Sequence, residues 1–244
     1  MFLKKISWEK VSINICLVSI FVFALGMFLQ AEKDSDKVGQ SEIKAGNKDF
    51  SIPQPLTYGS FIYIKNGYNN WNGGFLDVRG NNCEGNYRCV STAIVEDRDN
   101  GSGTWKIISA SGKAEGTPVA ALDIIHLKNQ WNNGNGGYLD ICGAGCEGNT
   151  FCVSTATTSN RNNGSGTWKI IPDLRIYDCK IYEDQPVRLL NGYNGFRGGF
   201  LDTCGAGCEG NLYCVSTYLG WNRNNGLITT TCWKMLIVPP PHPE

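Results

Sequence analysis

An all-β fold assembled from three copies of one unit is what this sequence predicts. Two observations predict it: a motif written three times and four short strand-like runs in each copy. The motif reads N-x-aromatic-N, then G-G-aromatic-L-D, then C-E-G-N-x-x-C-V-S-T, then a Trp, and its copies are offset by about 63 residues. The first spans Asn66 to Asn69, Gly73 to Asp77, Cys83 to Thr92 and Trp105. The second spans Asn129 to Asn132, Gly136 to Asp140, Cys146 to Thr155 and Trp168, and the third Asn191 to Asn194, Gly198 to Asp202, Cys208 to Thr217 and Trp233. A unit repeated at fixed period needs its neighbours to bury its apolar face.

Within each copy, runs rich in Val, Ile, Thr and aromatics are bounded by Gly, Asn and Asp, which is the pattern of short strands. In the first copy these are Phe61 to Lys65, Phe75 to Val78, Tyr87 to Ala93 and Thr104 to Ile108. The second offers Ile124 to Lys128, Tyr138 to Ile141, Phe151 to Ala156 and Thr167 to Ile171, and the third Val187 to Leu190, Phe200 to Thr203, Leu212 to Thr217 and Thr231 to Ile237. Twelve strands in three equal groups must hide their edges. A propeller needs at least four blades, whereas a β-trefoil closes at three copies of four strands, two building a barrel and two a hairpin cap. The expected fold is therefore a disulfide-braced β-trefoil over 57–237, with repeats at 57–110, 123–171 and 186–237. Trp105, Trp168 and Trp233 fall on the fourth strands, where bulky rings pack the shared interior.

The rest of the chain reads as leader, tether and tail. Lys4, Lys5 and Lys10 precede an uncharged run from Val11 to Ala31, expected to be helical. About 21 such residues can span a bilayer, while Ala24 and Gly26 offer a small-x-small cleavage site. Residues 1–31 thus read as either a signal peptide or an N-terminal membrane anchor, and both place the repeats outside the cytoplasm. Residues 32–56 are charged, poor in aromatics and broken by Pro53 and Pro55, the composition of a flexible linker. Residues 238–244 form a Pro-rich tail. Formal charge is zero with Lys and Arg scattered, so the basic footprint of a nucleic-acid binder is missing.

Eleven cysteines are present, and the ten outside the leader suit an oxidising compartment. Cys83 and Cys89 are the only two of the first copy, so they are expected to pair, and by repetition Cys146 with Cys152 and Cys208 with Cys214. Cys142 with Cys204, and Cys179 with Cys232, complete the expected scheme. Zinc is disfavoured because neither His126 nor His242 lies beside the cysteines. Asp97, Asp99 and Gly101 suggest a calcium loop, but Ile108 stands where the bidentate Glu belongs, and the second copy has Asn160 and Asn162 in place of the acids. No metal or cofactor is expected.

Three copies, each closed by a strand-borne Trp, resemble the secreted β-trefoil lectins of the ricin B type over about Tyr58 to Ile237. The family's Gln-x-Trp is replaced by Gly103-Thr104-Trp105, Gly166-Thr167-Trp168 and Thr231-Cys232-Trp233. The resemblance implies one site per copy, made of a stacking aromatic, an amide and a carboxylate. The residues that fit are Tyr68, Asn69 and Asp77; Trp131, Asn132 and Asp140; and Tyr193, Asn194 and Asp202. Each could equally serve its own turn, since Asn and Asp beside Gly make local hydrogen bonds.

Arg98, Arg161 and Arg223 form a second candidate surface, able to clamp a carboxylate or sulfate by paired hydrogen bonds or to tie down their own loops. The first two lie seven residues before their Trp and the third ten, so the third site should differ. Ser91, Ser154 and Ser216 have no repeated base nearby in sequence, which argues against nucleophilic catalysis. The expectation is an exported, non-catalytic protein that binds glycans or glycoproteins. Its rivals are a protein-binding module, such as a protease inhibitor, adhesin or toxin receptor-binding subunit, and a surface protein without a ligand.

Overall fold

The computed structural model describes residues 53–80, 86–146, 148–173, 178–207, 210–224 and 228–238. The chain divides into two compact units, Met1–Ile52 with Tyr177–Cys179, and Pro53–Ile176 with Lys180–Glu244. Of the first, only Asp178 and Cys179 are described, and the leader expected over 1–31 lies outside the described residues. Among the described residues no helix is long and apolar enough to cross a membrane. The strands all belong to the second unit, and they make it all-β.

Six strands close a ring. They are β1 (Phe61–Asn66), β4 (Trp105–Ser109), β5 (Ile124–Asn129), β8 (Trp168–Pro172), β9 (Pro186–Asn191) and β12 (Trp233–Ile237). Each is antiparallel to the next, and β12 returns to β1 through Ile62↔Ile237 to Asn66↔Trp233, so the ring has no edge. The other six form three hairpins: β2 (Phe75–Arg79) with β3 (Arg88–Ala93), β6 (Gly137–Cys142) with β7 (Phe151–Ala156), and β10 (Phe200–Ala206) with β11 (Tyr213–Tyr218). The hairpins in turn join in a triangle, β3 to β7, β7 to β11 and β11 to β3. This is a β-trefoil-like arrangement.

Alternation along the barrel strands decides what fills it. In β1 the buried positions are Ile62, Ile64 and Asn66, and in β12 Trp233 and Met235, the period of two that sends alternate side chains inward. Trp105, Trp168 and Trp233 have 0% exposure. Their indole N–H groups donate to the carbonyls of Leu76, Leu139 and Leu201 at 2.8, 3.0 and 2.9 Å. Each Trp therefore fastens a barrel strand to its own copy's hairpin, and its one polar atom is satisfied.

The segments leading into the copies close one end of the barrel. Leu56 donates its N–H to the Ile181 carbonyl, Ile181 to Val119 and Val119 to Leu56, each at 2.8 to 2.9 Å, and all three side chains are at 0% exposure. The linker expected over 32–56 thus runs too far. Pro53 and Pro55 suggested a tether, but Leu56 is a core residue and Pro55 bridges to Tyr182.

Replacing Trp168 with Ala removes a buried ring and its hydrogen bond, so unfolding free energy should fall by about 3–5 kcal/mol. Ile94→Ala, at a position 79% exposed, should shift it by no more than about 0.5 kcal/mol. Urea unfolding of the two variants beside the parent checks both.

Candidate functional site

The loop after the first strand of each copy is built by an asparagine unlike the one expected to bind. Asn66, Asn129 and Asn191 are fully buried, and their Oδ1 atoms accept from the backbone N–H of Tyr68, Trp131 and Tyr193 at 2.9 Å. Their amide N–H groups donate to the previous copy's loop, at Thr230, Ser102 and Ser165 carbonyls, at 2.7 to 2.8 Å. The first glycine of each pair follows from this, since a Cβ on Gly73, Gly136 or Gly198 would overlap that Oδ1. The second follows from backbone conformation: Gly74, Gly137 and Gly199 have φ of 85°, 89° and 87°.

Asn69, Asn132 and Asn194 lie in single turns, Tyr68–Trp71, Trp131–Gly134 and Tyr193–Phe196, with left-handed φ of 49°, 49° and 48°. Asn tolerates that conformation better than other non-Gly residues, which accounts for its presence. All three are exposed.

Asp77, Asp140 and Asp202 stand elsewhere than the sequence suggested. All are at 0% exposure, so a solvent-borne ligand does not reach them, and protein groups occupy them instead. Arg98 donates to Asp77 Oδ1 through Nε and Nη2 at 3.2 and 3.1 Å, and Arg161 to Asp140 Oδ1 at 3.3 and 3.1 Å. Ser102 and Ser165 donate to the second oxygens at 2.6 and 2.8 Å. A third partner comes from the preceding copy: Asn211 donates to Asp77 at 3.1 Å, Asn86 to Asp140 at 3.2 Å and Asn149 to Asp202 at 2.8 Å. The same amides donate to Ser91, Ser154 and Ser216 at 2.7, 2.6 and 2.6 Å. Those serines are therefore structural acceptors.

The third copy is looser, as its longer loop implied. Arg223 stays 3.7 Å from Asp202 and donates instead to the Thr203 carbonyl at 3.1 Å, and Asp202 Oδ1 has no hydrogen-bond partner among the described residues. Burial raises the Asp140 and Asp202 carboxyls above the usual carboxylate range, against the opposing pull of their Asn and Arg partners.

The loop aromatics pack across the seams between copies. Tyr68 meets Tyr213 of the third copy edge-on at 5.4 Å, and Tyr193 meets Phe151 of the second at 5.5 Å. Trp131 carries the Arg88 guanidinium of the first at 3.9 Å. The pairings of Trp131 and Tyr193 open beside Arg98 and Arg161 of the preceding copy, so at these two seams the surfaces that the sequence kept apart meet in one place. A cleft of about 220 Å³ is lined by Val78, Arg79, Gly80, Arg88, Arg98, Asp99 and Trp131. Its three-fold counterpart of about 180 Å³ has Cys142, Phe151, Arg161, Asn162 and Tyr193 among its lining. Neither is lined by Asn69, Asn132 or Asn194.

The disulfides differ from the expected scheme for the same reason. Cys146 bonds Cys204, with Cα atoms 6.6 Å apart, and not Cys152. This also removes the expected Cys142 to Cys204 bond. The loop carrying Cys146 lies on the next copy, where Asn149 reaches Asp202. Cys232 is a free thiol donating to Asp173 at 3.7 Å, pushed up to about 12 by burial and by Asp173, so the Cys179 to Cys232 bond is absent. Cys89 and Cys179 are each engaged in a disulfide whose partner lies outside the described residues. Cys83 and Cys208 lie outside the described residues, so the Cys83 to Cys89 and Cys208 to Cys214 pairings do too. Cys146, Cys204 and Cys214 bring their sulfurs within 4.8 Å of one another, but the bond between the first two leaves no thiolate trio for a metal.

Because the folded carboxyl of Asp140 is raised, its stabilising contribution is complete below the ordinary value of 3.8 and is lost as pH rises through the folded value. Asp140→Asn should destabilise by about 1–3 kcal/mol through the disturbed buried hydrogen bonds. The deficit relative to the parent should narrow from pH 4 to pH 7, as denaturant unfolding of both proteins at each pH can test.

No family model matches the sequence, and no curated protein does. Solved structures share the fold. The SDF2-like protein from Arabidopsis thaliana is 17% identical, with a TM-score of 0.56 over 76% of this chain and 98% of that one. A Caenorhabditis elegans protein of unknown function is 17% identical, with a TM-score of 0.56 over 79% and 98%. The S. cerevisiae protein O-mannosyltransferase Pmt1-Pmt2 complex is 14% identical, with a TM-score of 0.56 over 78% of this chain and 26% of that chain. At these identities the likeness is one of fold, and the fold it supports is of β-trefoil type.

Proposed function

We propose that this chain is an exported, non-catalytic carbohydrate-binding module, a trefoil of three repeats that engages clustered glycans or glycoproteins through shallow clefts at its seams. The observation that carries the reading is the repetition of one cleft by three-fold related residues, Trp131 with Arg98 in the first and Tyr193 with Arg161 in the second. An aromatic face beside a few polar groups suits the C–H face and hydroxyls of a sugar. Several weak sites on one body gain strength when a branched or clustered ligand occupies them together.

The carboxylates support a non-catalytic reading. Glycoside hydrolysis uses a pair of them flanking the bond. Among the described residues the first cleft is lined by one, Asp99, and the second by none, its equivalent residue being Asn162. Asp77 and Asp140 lie behind their arginines with no access to water. The basic residues ahead of the uncharged run 11–31 support export, with the leader cleaved or kept as an anchor.

A protein-binding module is the rival reading, favoured by Ile94, Val95 and Leu219, which stand 79%, 49% and 64% exposed in the loops after the third strands. A glycan array followed by titration separates the two. The sugar-binding reading expects array hits whose affinity for the first cleft falls at least about tenfold, or about 1.4 kcal/mol, in Trp131→Ala with the unfolding transition retained. An array without hits would overturn it.

A further inference from the structure

The two clefts share a frame but not a set of side chains. Where the second carries Cys142, Phe151 and Asn162, the first carries Arg79, Arg88 and Asp99, and both keep the arginine bound to the buried aspartate, Arg161 and Arg98. The first thus places Arg88 and Arg98 together beside Asp99, with Arg98 paired to Asp77 and Arg79 donating to Asn211 at 3.4 Å. In the second, one guanidinium is balanced by Asp140.

Geometry adds to the difference. The Arg88 guanidinium carbon sits over the Trp131 ring, 3.9 Å from its centroid, and a guanidinium held over a ring can present its edge N–H groups for paired hydrogen bonds to a carboxylate or sulfate. Among the described residues its polar contact is slight: Nη1 donates to the Gly80 carbonyl at 3.3 Å, and the buried Nε has no hydrogen-bond partner there. Arg98 is held by Asp77 and the Val78 carbonyl and so is fixed at the cleft wall.

We infer that the first cleft is an anion-selective subsite that takes a sulfate or carboxylate group carried on a saccharide, with Arg88 as the contacting residue and Trp131 as its platform. This rests on the carbohydrate-binding reading for the nature of the carrier, but not for the anion itself. The second cleft, with Phe151 in place of Arg88, lacks the selectivity.

The test is calorimetric titration of the full chain with a heparin-derived hexasaccharide, its desulfated and N-acetylated counterpart, trigalacturonate and its methyl ester. Sodium sulfate is followed separately through the ¹⁵N-resolved indole resonance of Trp131. At least one anionic saccharide should bind at least about tenfold more tightly than its neutral counterpart, and whichever does so identifies sulfate or carboxylate. Arg88→Phe, which installs the residue found at the same place in the second copy, should erase that margin, whereas Tyr193→Ala should leave it. Arg88→Lys keeps the charge without the plane and should retain only part of it. Equal binding of charged and neutral saccharides, or a margin that survives Arg88→Phe, overturns the inference. If no saccharide binds but sulfate shifts the Trp131 resonance in the parent and not in Arg88→Phe, the anion site stands and the carbohydrate reading falls. If neither saccharide nor sulfate binds, both fall.

Discussion

A carboxylate without access to water must have its charge met by protein groups, and here those groups are divided between copies. Asp140 takes Arg161 and Ser165 from its own copy and Asn86 from the first, while Asp77 takes Asn211 from the third and Asp202 takes Asn149 from the second. The dependence runs once around the ring. No copy completes its own buried charge, so the unit that folds is the closed set of three. Removing one member of a buried pair leaves an uncompensated charge, which costs more than the pair contributes when intact.

Seam and cleft are two faces of the same loops. The segment that holds Arg98 against Asp77 also supplies the Ser102 carbonyl that receives Asn129, and Asn129 sets the backbone of Trp131. The ring of Trp131 is thereby fixed beside Arg88, and the wall and the platform of the cleft are positioned by the hydrogen bonds that join the copies. Because the frame is set by buried groups, the exposed positions can differ between copies without disturbing it. Arg88, Phe151 and Tyr213 occupy one place in the frame with three chemistries. In the third copy the frame itself relaxes, with Arg223 withdrawn from Asp202.

The strands and the tryptophans were legible because they are written in local pattern: a period of two, glycine-bounded, three times over. What local pattern does not carry is which copy a side chain serves. Cys146 and Cys152 are six residues apart and read as a hairpin staple, yet the loop they share lies on the next copy, and Cys146 finds Cys204. The same displacement hid Asn86, Asn149 and Asn211, whose repeated C-E-G-N setting marked them without naming their partners. The aspartates were misplaced for a related reason. Repetition signals constraint alike at a binding site and at a buried hub, and only the 0% exposure of Asp77, Asp140 and Asp202 separates the two. Asn69, Asn132 and Asn194 repeat because a left-handed turn demands them.

The exchange of partners between copies is tested most directly by mapping disulfide-linked peptides from the unreduced protein. The structure requires a peptide that joins Cys146 to Cys204, across the seam between the second and third copies. A peptide joining Cys146 to Cys152 would place that loop back on its own hairpin and contradict the account.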